Sequence, residues 1–530
     1  MNPRAFALAA GTVLVLALGA GPTAAQKYGG TLKALLPGNP PSLSMLEVTA
    51  YYTVFPMAPV YNNLAVFDQL KARESLDTIV PELAESWSWS PDAKALTFRL
   101  RRGVTFHDGA PFSSRDVKHT FDLSRGAAEE RLKIAPRKAW YANIADIVTK
   151  GDHEVTFRLK NPQPSLLALL ATGYGGIYPA HIPVARWRTE AVGTGPFMLK
   201  EYQRDRFLYE VKNPNYWVKN RPYLDAIRFE IIKSKVSHVA VFKTRQVDIN
   251  APLNTSRPFM ETLKASVPDL VYSETPITVF PAVFFNPKVK PWDNVRLRQA
   301  VNLALDRGAY LRTVFQGGVV LGGVNLPLPA GAWGMTPEQV SKLPGYHDPE
   351  QAKEEARRIM ASLGYGPQNP LRAKITVRGD TQFNVDSAVW ATGELKQIYI
   401  ESELHQMQTA EFFAALARRD FALGLHSSAS AADDPDVTFY EHYGCGSPRN
   451  YSDYCMPEVE VLYAKQSAMT DQEARLKLVR EIDQRLVGDV ARAILGFLID
   501  YNAMQPYVRN YVPHQTLYSF GRMQDVWLDK

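Results

Sequence analysis

The sequence predicts an α/β protein built in more than one lobe, and two patterns of alternation support this prediction. The later half of the chain alternates strand and helix signals in the order βαβαβ, which implies parallel strands with helices on the faces of their sheet. The earlier half repeats a strand-turn-strand-helix order, which indicates a separate subdomain. The chain has 530 residues, of which 46% are hydrophobic. At about 100–200 residues per domain, this length predicts roughly three or four domain-sized units.

The subdomain signal lies within Val80–Ala171. Residues 87–100 alternate polar and apolar side chains around a Ser-Pro-Asp turn, which predicts a hairpin. Ser113 with Asp116 resembles a capping box at the start of an amphipathic helix. The second unit of the same kind consists of the strands Ile144–Val148 and Val155–Leu159 and the helix Pro164–Ala171.

The later half contains further helix and strand signals. Asp306 is expected to cap one helix, and Asp348–Leu363 reads as a charged amphipathic helix. Thr470 with Glu473 is expected to cap another helix. Ala493–Tyr501 is predicted to form a single closing strand. The βαβαβ unit consists of the strands Lys374–Arg378, Ile400–Gln406 and Phe421–His426 and the helices Val385–Gln397 and Ala410–Arg419.

Met1–Ala25 has the pattern of a secretory signal peptide. Arg4 gives a positive start, Phe6–Leu18 is an uncharged apolar run, and small residues suit cleavage before Gln26. A membrane anchor is the alternative, but a spanning helix needs about 20 apolar residues. No cysteine follows the small residues, so we do not expect a lipid anchor. The segment therefore predicts an exported protein of the periplasm.

The charge balance argues against a dedicated nucleic-acid binder. The chain carries 60 basic and 54 acidic residues without a long run of one sign, whereas nucleic-acid binders concentrate Lys and Arg. We therefore expect no nucleic-acid partner.

The two cysteines, Cys445 and Cys455, favour a disulfide. An exported chain meets an oxidising environment, and the segment between the two residues is long enough to close a small loop. A metal site that includes His442 is the alternative. Structural zinc sites, however, use four ligands at closer spacing, so we predict no metal and no cofactor.

The sequence lacks the motifs that common extracellular enzymes carry. It contains no G-x-S-x-G, S-x-x-K or H-E-x-x-H pattern. His107-Asp108-Gly109 is interpreted as a turn before a helix. Asp433 and Asp434 are adjacent, and adjacent carboxylates rarely converge on one bond as general acid and base. We predict that the protein is not an enzyme; a secreted hydrolase whose triad is assembled by the fold remains the alternative.

A series of segments in order along the mature chain carries a family pattern. The most specific stretch runs from Pro81 to Val117. The segments are Pro81–Trp87, Leu96–Leu100, Arg102–Gly109, Asp116-Val117, Gly193–Phe197, Asn213–Trp217, Leu224–Ile227, Asp293 to Asp306, Tyr346–Glu354 and Asp434–Asp436. Together they resemble the family 5 extracellular solute-binding proteins, the peptide, nickel and opine binders of ABC importers.

The resemblance implies the bilobal periplasmic-binding-protein fold of type II, cluster C, with an extra inserted subdomain. A ligand would be enclosed between the lobes, and two chain crossings near Glu274–Phe280 and Ile494–Tyr501 would form the hinge. The implied division is a signal peptide at 1–25, a discontinuous sheet domain of lobe 1 at 26–65, 190–275 and 500–530, an inserted subdomain at 66–189 and lobe 2 at 276–499.

The resemblance also bears on the cargo. Dipeptide binders of the family place an Asp for the peptide amino group at the position of Ala431, and an Arg for the carboxylate near Asn384–Ser387. This chain has no Arg there, and the nearest is Arg378. A buried charge without its counter-charge costs several kcal/mol. A small free dipeptide is therefore disfavoured, whereas a longer peptide, a sugar conjugate, an opine-like compound or another aromatic or organic solute stays open.

The resemblance further implies the contacts and partners. The protein would deliver its cargo to an ABC permease and its ATPase subunits in the inner membrane, and we expect a monomer. A sensing or chaperoning receptor without a permease is an alternative within the same fold. The predicted ligand contacts are Tyr51, Tyr52, Trp333, Arg378, Trp390, His426, Asp433, Asp434 and Tyr443.

Overall fold

The structure, a computed structural model, describes residues 26–48, 50–252 and 256–530. The predicted signal peptide, residues 1–25, lies outside the described residues. Three sheets of four or more strands and two smaller two-stranded sheets organise the fold. Within these described ranges, no helix is both long and apolar enough to cross a membrane.

The largest sheet is mixed and draws its strands from distant parts of the chain. Its central strand, Thr31–Leu36, pairs in parallel with Ala226–Ile231 and with Ile249–Asn250. Leu32, Ala34 and Leu36 are fully buried, since alternate residues of a strand face the same side. In spatial order the strands are Val271–Pro276, Phe497–Met504, Ile249–Asn250, Thr31–Leu36, Ala226–Ile231, Phe207–Lys212 and Phe197–Gln203, with Val319–Val320 paired to Phe497–Met504.

The predicted subdomain is built on a four-stranded antiparallel sheet, and its predicted hairpin is confirmed. Ser113 and Asp116 form the predicted capping box of the helix Ser114–Arg125. Phe121 of that helix packs against Phe157 of the sheet, with ring centroids 5.2 Å apart. The strands in spatial order are Ala84–Trp89, Ala95–Leu100, Glu154–Leu159 and Ile144–Thr149, and a short apolar helix covers Leu166–Ala171.

The later half forms a five-stranded sheet that contains the predicted βαβαβ unit. Leu371–Arg378 pairs in parallel with both Ile400–Met407 and Leu423–Ala429, which confirms the predicted parallel arrangement. The helices Gln382–Lys396 and Thr409–Arg418 connect these strands. In spatial order the sheet is Ile400–Met407, Leu371–Arg378, Leu423–Ala429, Val279–Phe285 and Arg492–Ile494.

The remaining elements surround these sheets, and most predicted caps are confirmed. Asp306 and Asp348 each accept a backbone N–H at the start of their helices. Thr470 was the wrong cap: Asp471 accepts from the N–H groups of Glu473 and Ala474 instead, because the helix begins one residue later. The other helices are Tyr51–Met57, Lys235–Lys243, Arg257–Ser266, Val295–Ala304, Arg307–Thr313, Pro337–Val340, Pro349–Ser362, Pro435–His442, Pro457–Ser467 and Gln472–Gly488. Short 3₁₀ segments cover Leu76–Thr78, Lys138–Tyr141, Gly173–Gly175 and Val184–Arg188, and the small sheets pair Ala65–Phe67 with Ile79–Pro81 and Val508–Arg509 with Trp527–Leu528.

Two neighbouring passages of the chain join the largest and the five-stranded sheet, apart from the excursion of the short strand Val319–Val320 to the largest sheet. The first joins Val271–Pro276 to Val279–Phe285. The second lies within Ala493–Tyr501, so the prediction of one strand there was wrong: Arg492–Ile494 belongs to the five-stranded sheet and Phe497–Met504 to the largest one. Gly496 between them has φ +145°, a conformation that side chains rarely adopt, and this allows the chain to change sheets.

The two crossings are hydrogen-bonded to each other. The N–H of Ile277 donates to the carbonyl oxygen of Leu498 at 2.9 Å, and the N–H of Leu495 donates to that of Pro281 at 2.9 Å. The two chain passages therefore lie side by side and are joined to each other by backbone hydrogen bonds.

The predicted disulfide between Cys445 and Cys455 is confirmed, with the two Cα atoms 4.8 Å apart. It closes the loop that follows the helix Pro435–His442. Inside this loop, Asn450 donates to the carbonyl oxygens of Gly444 and Tyr454, so the loop has internal hydrogen bonds as well as the covalent link.

Removing this disulfide is expected to lower the free energy of unfolding. A loop with a sequence separation of 10 corresponds to a loss of about 2.5 kcal/mol in the chain-entropy model. The measurement is urea unfolding of wild type and of Cys445→Ser/Cys455→Ser. A reductant should destabilise the wild type equally and leave the double variant unchanged; equal stability of the two proteins would contradict the expectation.

Candidate functional site

The strand Leu423–Ala429 has an open edge. On one side it pairs with Val279–Phe285 along its whole length, from Leu423 to Ala429. On the other side it pairs with Leu371–Arg378 only as far as Leu425. The strand extends beyond its parallel neighbour, so in the part of the chain that the structure describes, its last residues have no strand beside this edge.

Backbone groups point toward this open edge. The N–H of Ser430 donates to the carbonyl oxygen of Thr278 on the paired side, at 3.2 Å. Alternate residues of an antiparallel strand direct their backbone groups to opposite sides, so those of Ser427 and Ala429 are directed to the open edge. Such an edge is a template for another extended backbone.

A buried amide stands beside this edge. Asn384, at the start of the helix Gln382–Lys396, is completely buried, and its Oδ1 accepts from the Ser427 hydroxyl at 2.9 Å. Its Nδ2 has no hydrogen-bond partner among the described residues. A buried donor without a partner is costly, so this atom is available to an acceptor that enters the site.

Two of the predicted contacts, Tyr51 and Tyr52, are neighbours, and a third, Arg378, influences the pKa of Tyr51. Tyr51 and Tyr52 begin the helix Tyr51–Met57, and their ring centroids are 4.3 Å apart. Burial raises the pKa of Tyr51 well above its ordinary value; Tyr52 and Asp500 add to this shift, and Arg378 opposes it. Arg378 ends its strand in the five-stranded sheet, so the Tyr51 hydroxyl lies within electrostatic range of the opposite unit.

Arg378 contacts residues that follow it closely in the sequence, and within the described ranges its guanidinium makes no two-point pair with a carboxylate. Its Nε donates to the Thr381 hydroxyl at 2.7 Å and lies 3.4 Å from an Asp380 oxygen. The guanidinium therefore keeps donors for a further acceptor. Its position is consistent with the predicted role as a polar contact, which stays a prediction.

His426 lies on the open-edge strand and is neutral. It is buried, and its ring lies 5.3 Å from that of Phe412. Burial lowers its pKa well below the ordinary value, and the positive charges of Arg378, Arg449 and Arg492 lower it further. Its Nδ1 has no partner within the described ranges, so this predicted contact has a free ring nitrogen.

Asp433 and Asp434 make defined contacts within the protein. Asp434 caps the helix Pro435–His442 and binds the guanidinium of Arg475 through both oxygens, at 2.8 and 2.9 Å. Asp433 accepts from the N–H of Ala332 at 3.0 Å, and its carbonyl oxygen accepts from the Trp333 indole at 3.1 Å. These contacts hold the loop around Trp333 against the helix. As ligand contacts, the three residues stay predictions.

Tyr443 and Trp390 pack inside the unit that contains the five-stranded sheet. Tyr443 is fully buried, and its hydroxyl donates to Asn325. The Trp390 ring lies 4.8 Å from that of Tyr310, whose hydroxyl is 2.7 Å from that of Ser387. As ligand contacts, both stay predictions.

Ala431 is buried next to the open edge and brings no charge. Its carbonyl oxygen accepts from the Ser519 hydroxyl at 3.1 Å. The nearby carboxylate of Asp433 does not replace the missing Asp, since it is directed to the Ala332 amide. Burial raises the pKa of Asp433 to about 7, so its negative charge is also weakened near neutral pH.

The helix Pro435–His442 is bound to the subdomain with the four-stranded sheet by hydrogen bonds and an ion pair. Asp436 accepts from Gln163 at 3.1 Å and from the Ser165 hydroxyl at 2.5 Å. Glu441 pairs with Arg137 at 3.2 Å. All of these side chains are buried. The sequence analysis missed them, since pairs roughly 270 to 300 residues apart leave no local pattern.

Comparison with known proteins gives a consistent result. Residues 78–450 match the family model described as bacterial extracellular solute-binding proteins, family 5 middle. A probable di/tripeptide-binding protein of Pseudomonas aeruginosa is 27% identical over 491 residues, which cover 87% of this chain and 89% of that protein.

Two solved structures share the whole fold. The periplasmic binding protein DppA from Helicobacter pylori, in complex with the peptide STSA, superposes with a TM-score of 0.83 at 22% identity, covering 95% of this chain and 99% of its own. AgaA from A. tumefaciens R10, in complex with agropinic acid, gives 0.82 at 23% identity, covering 94% and 99%. The bilobal fold class predicted from the sequence is therefore confirmed.

Titration of Asp433 is expected to make stability depend on pH. Its pKa is about 7 in the folded protein and about 4 in an unfolded chain. The folded state holds a proton that the unfolded state releases, so the free energy of unfolding falls as pH rises between these values. Asp433→Asn should become more stable relative to wild type from pH 4.5 to 7.5, as measured by chemical unfolding.

Asp386→Asn is the matched control, because Asp386 is an exposed carboxylate on the same lobe. The control should show no such trend. A constant difference between Asp433→Asn and wild type across this range would contradict the raised pKa.

Proposed function

The chain belongs to the bacterial extracellular solute-binding proteins of family 5, and we propose that it encloses an organic solute between two lobes and delivers it unchanged to an ABC import permease with its ATPase subunits. The observation that carries this proposal is the open edge of Leu423–Ala429, which lies in the five-stranded sheet, with Tyr51 of the opposite unit within range of Arg378. A solute placed there touches both units. It therefore binds the closed arrangement better and shifts the population toward it.

We propose that the cargo is held mainly through its backbone or through other uncharged polar groups. The backbone groups of Ser427 and Ala429, which are directed to the open edge, suit an extended peptide. In addition, Asn384 Nδ2 and His426 Nδ1 have no hydrogen-bond partner in the described part of the protein. The aromatic rings of Tyr51 and Tyr52 suit peptide planes and sugar rings alike.

A free dipeptide does not fit this arrangement well. Ala431 offers no counter-charge to a peptide ammonium, and Asp433 is engaged elsewhere. An uncompensated buried ion costs several kcal/mol. The relatives are named for di- and tripeptides, and one structural neighbour holds agropinic acid. A longer peptide, an opine-like compound or a sugar conjugate is therefore the proposed cargo.

The division into lobes proposed from the sequence explains how the protein would close around this site. With lobe 1 at 26–65, 190–275 and 500–530, the subdomain at 66–189 and lobe 2 at 276–499, the connection between the lobes is the pair of crossings at Ile277 and Leu495. We further propose a periplasmic monomer, released from its signal peptide and not anchored by lipid.

A thermal-shift screen of the mature protein is expected to find ligands of this class. A ligand that binds only the folded state stabilises it by about 2.7 kcal/mol at 100 times its Kd. The screen should include the peptide Ser-Thr-Ser-Ala, its N-acetylated form, alanyl dipeptides, opines and sugar conjugates. We expect tetrapeptide or opine hits and equal shifts for the acetylated and free peptide, since no carboxylate faces the amino terminus.

Mass spectrometry of the bound fraction separates binding from hydrolysis. Recovery of the cargo unchanged after prolonged incubation supports a receptor. Steady accumulation of product would establish the alternative, a secreted hydrolase, and dipeptide hits that depend on a free amino group would contradict the proposed cargo.

Weakening the contacts of Asp436 is expected to open the protein. The double variant Gln163→Ala/Ser165→Ala removes two hydrogen bonds between the subdomain and the helix Pro435–His442. Lost hydrogen bonds to a buried charge cost roughly 1.5–3 kcal/mol each. Small-angle scattering without ligand should show a larger radius of gyration, and any ligand found in the screen should bind more weakly.

Thr97→Val is the matched control, because the Thr97 hydroxyl bonds to that of Thr156 within the subdomain sheet and not between units. The control should keep the wild-type radius. A double variant with an unchanged radius and unchanged affinity would show that these contacts do not govern closure.

A further inference from the structure

Among the residues that the structure describes, six arginines are buried, and three of these have a hydrogen-bond partner at every guanidinium nitrogen. Arg475 binds Asp434 through two nitrogens and Gln466 through Nε. Arg522 and Arg307 also donate hydrogen bonds from all three guanidinium nitrogens. The acceptors of Arg307 are all uncharged. These cases show that a buried guanidinium in this protein is normally satisfied at every nitrogen.

The other three buried arginines differ in their hydrogen bonding, and they lie close to one another. Arg137, Arg449 and Arg492 each have an Nε without a hydrogen-bond partner among the described residues. Arg137 and Arg449 both reach Oε1 of Glu441. Arg492 donates to the carbonyl oxygen of Arg449 at 3.0 Å. We call these three residues the arginine cluster.

The charges of the arginine cluster do not balance. Glu441 is the one carboxylate that pairs with any of them in the described ranges, and Arg492 pairs with none. Neighbouring His442 does not add a negative charge, and its pKa is lowered well below the ordinary value by burial and by the three arginines. Three cations therefore face one anion where side chains are at most 7% exposed, and uncompensated buried ions are costly.

The arginine cluster is connected to the open edge and to both units. Arg137 comes from the subdomain, whereas Arg449 lies on the disulfide-closed loop and Arg492 on the last strand of the five-stranded sheet. One Arg492 nitrogen lies 3.4 Å from the hydroxyl of Ser428, on the strand with the open edge. The cluster is therefore completed only when the units are closed against each other.

We propose that the arginine cluster is a subsite for a small oxyanion, of the size of a carboxylate. Guanidinium groups match oxyanions in geometry and charge, and one such group would reduce the excess of positive charge and offer acceptors to the free Nε donors. The oxyanion is either a carboxylate carried by the cargo, which rests on the function proposed above, or a free anion of the medium.

Acetate titration tests the subsite without any cargo. Ionic strength is held constant with a bulky sulfonate, and the melting temperature is followed. We expect a saturable rise of at least about 2 °C in the wild type and its loss in Arg492→Met. Arg188→Met is the control, because it removes a guanidinium that is already paired with Glu47; it should keep the rise.

Arg137→Met provides a second variant in another part of the chain, should Arg492→Met fail to fold, and it too should lose the rise. No acetate response in the wild type, or an equal response in these variants, would overturn the proposal.

A matched pair of peptides distinguishes the two possible sources of the oxyanion. If Ser-Thr-Ser-Ala abolishes the additional acetate shift and its C-terminal amide does not, the subsite takes the carboxylate of the cargo. If both peptides bind and leave the acetate shift intact, the subsite takes a free anion. Failure of both peptides to bind, with the acetate shift preserved, would count against the peptide cargo and not against the subsite.

Discussion

The rest of the structure depends on the paired crossing between the largest and the five-stranded sheet. Hydrogen bonds from Ile277 to Leu498 and from Leu495 to Pro281 tie the two chain passages together. The first passage leads directly into the strand Val279–Phe285, which pairs with Leu423–Ala429 along its whole length. The crossing and the candidate site therefore share one strand pair.

The helix Pro435–His442 connects the five-stranded sheet unit to the subdomain through its acidic side chains. Asp434 is bound by Arg475 inside its own unit, whereas Asp436 and Glu441 reach side chains of the subdomain. Each of the last two carboxylates is also bound within its own unit, since Asp436 accepts from Gln466 and Ser467, and Glu441 pairs with Arg449. One short element thus carries one charge held inside its own unit and two charges shared with the subdomain.

The cargo proposed above, held by its backbone and not by a free amino group, agrees with the distribution of charge around the open edge. Ala431 and the small residues around it leave the open edge uncharged, while the positive charges gather at Arg378 and in the arginine cluster. The resulting field is suited to acceptor-rich or anionic ligands and unfavourable to cations. This asymmetry distinguishes the site from one that holds both ends of a zwitterion with opposite charges.

The sequence by itself determined the local elements and the family. Periodicity placed the βαβαβ unit, and Ser113 with Asp116 marked a helix start, because these signals depend on residues within one or two turns of each other. It also placed Arg378 and His426 near the site through the family resemblance. It misread Ala493–Tyr501, where an uninterrupted apolar pattern hides a change of sheet at Gly496.

Only the tertiary structure decided which charges meet. Arg137, Glu441 and Arg492 are unremarkable in the sequence, and hundreds of residues separate the first from the other two. The bidentate pairing of Asp434 with Arg475 is likewise visible only in the folded chain, and Asp434 as a ligand contact stays a prediction. The physical reason is that burial and pairing of charges depend on distances through space, and these are set by the packing of whole units and not by neighbours along the chain.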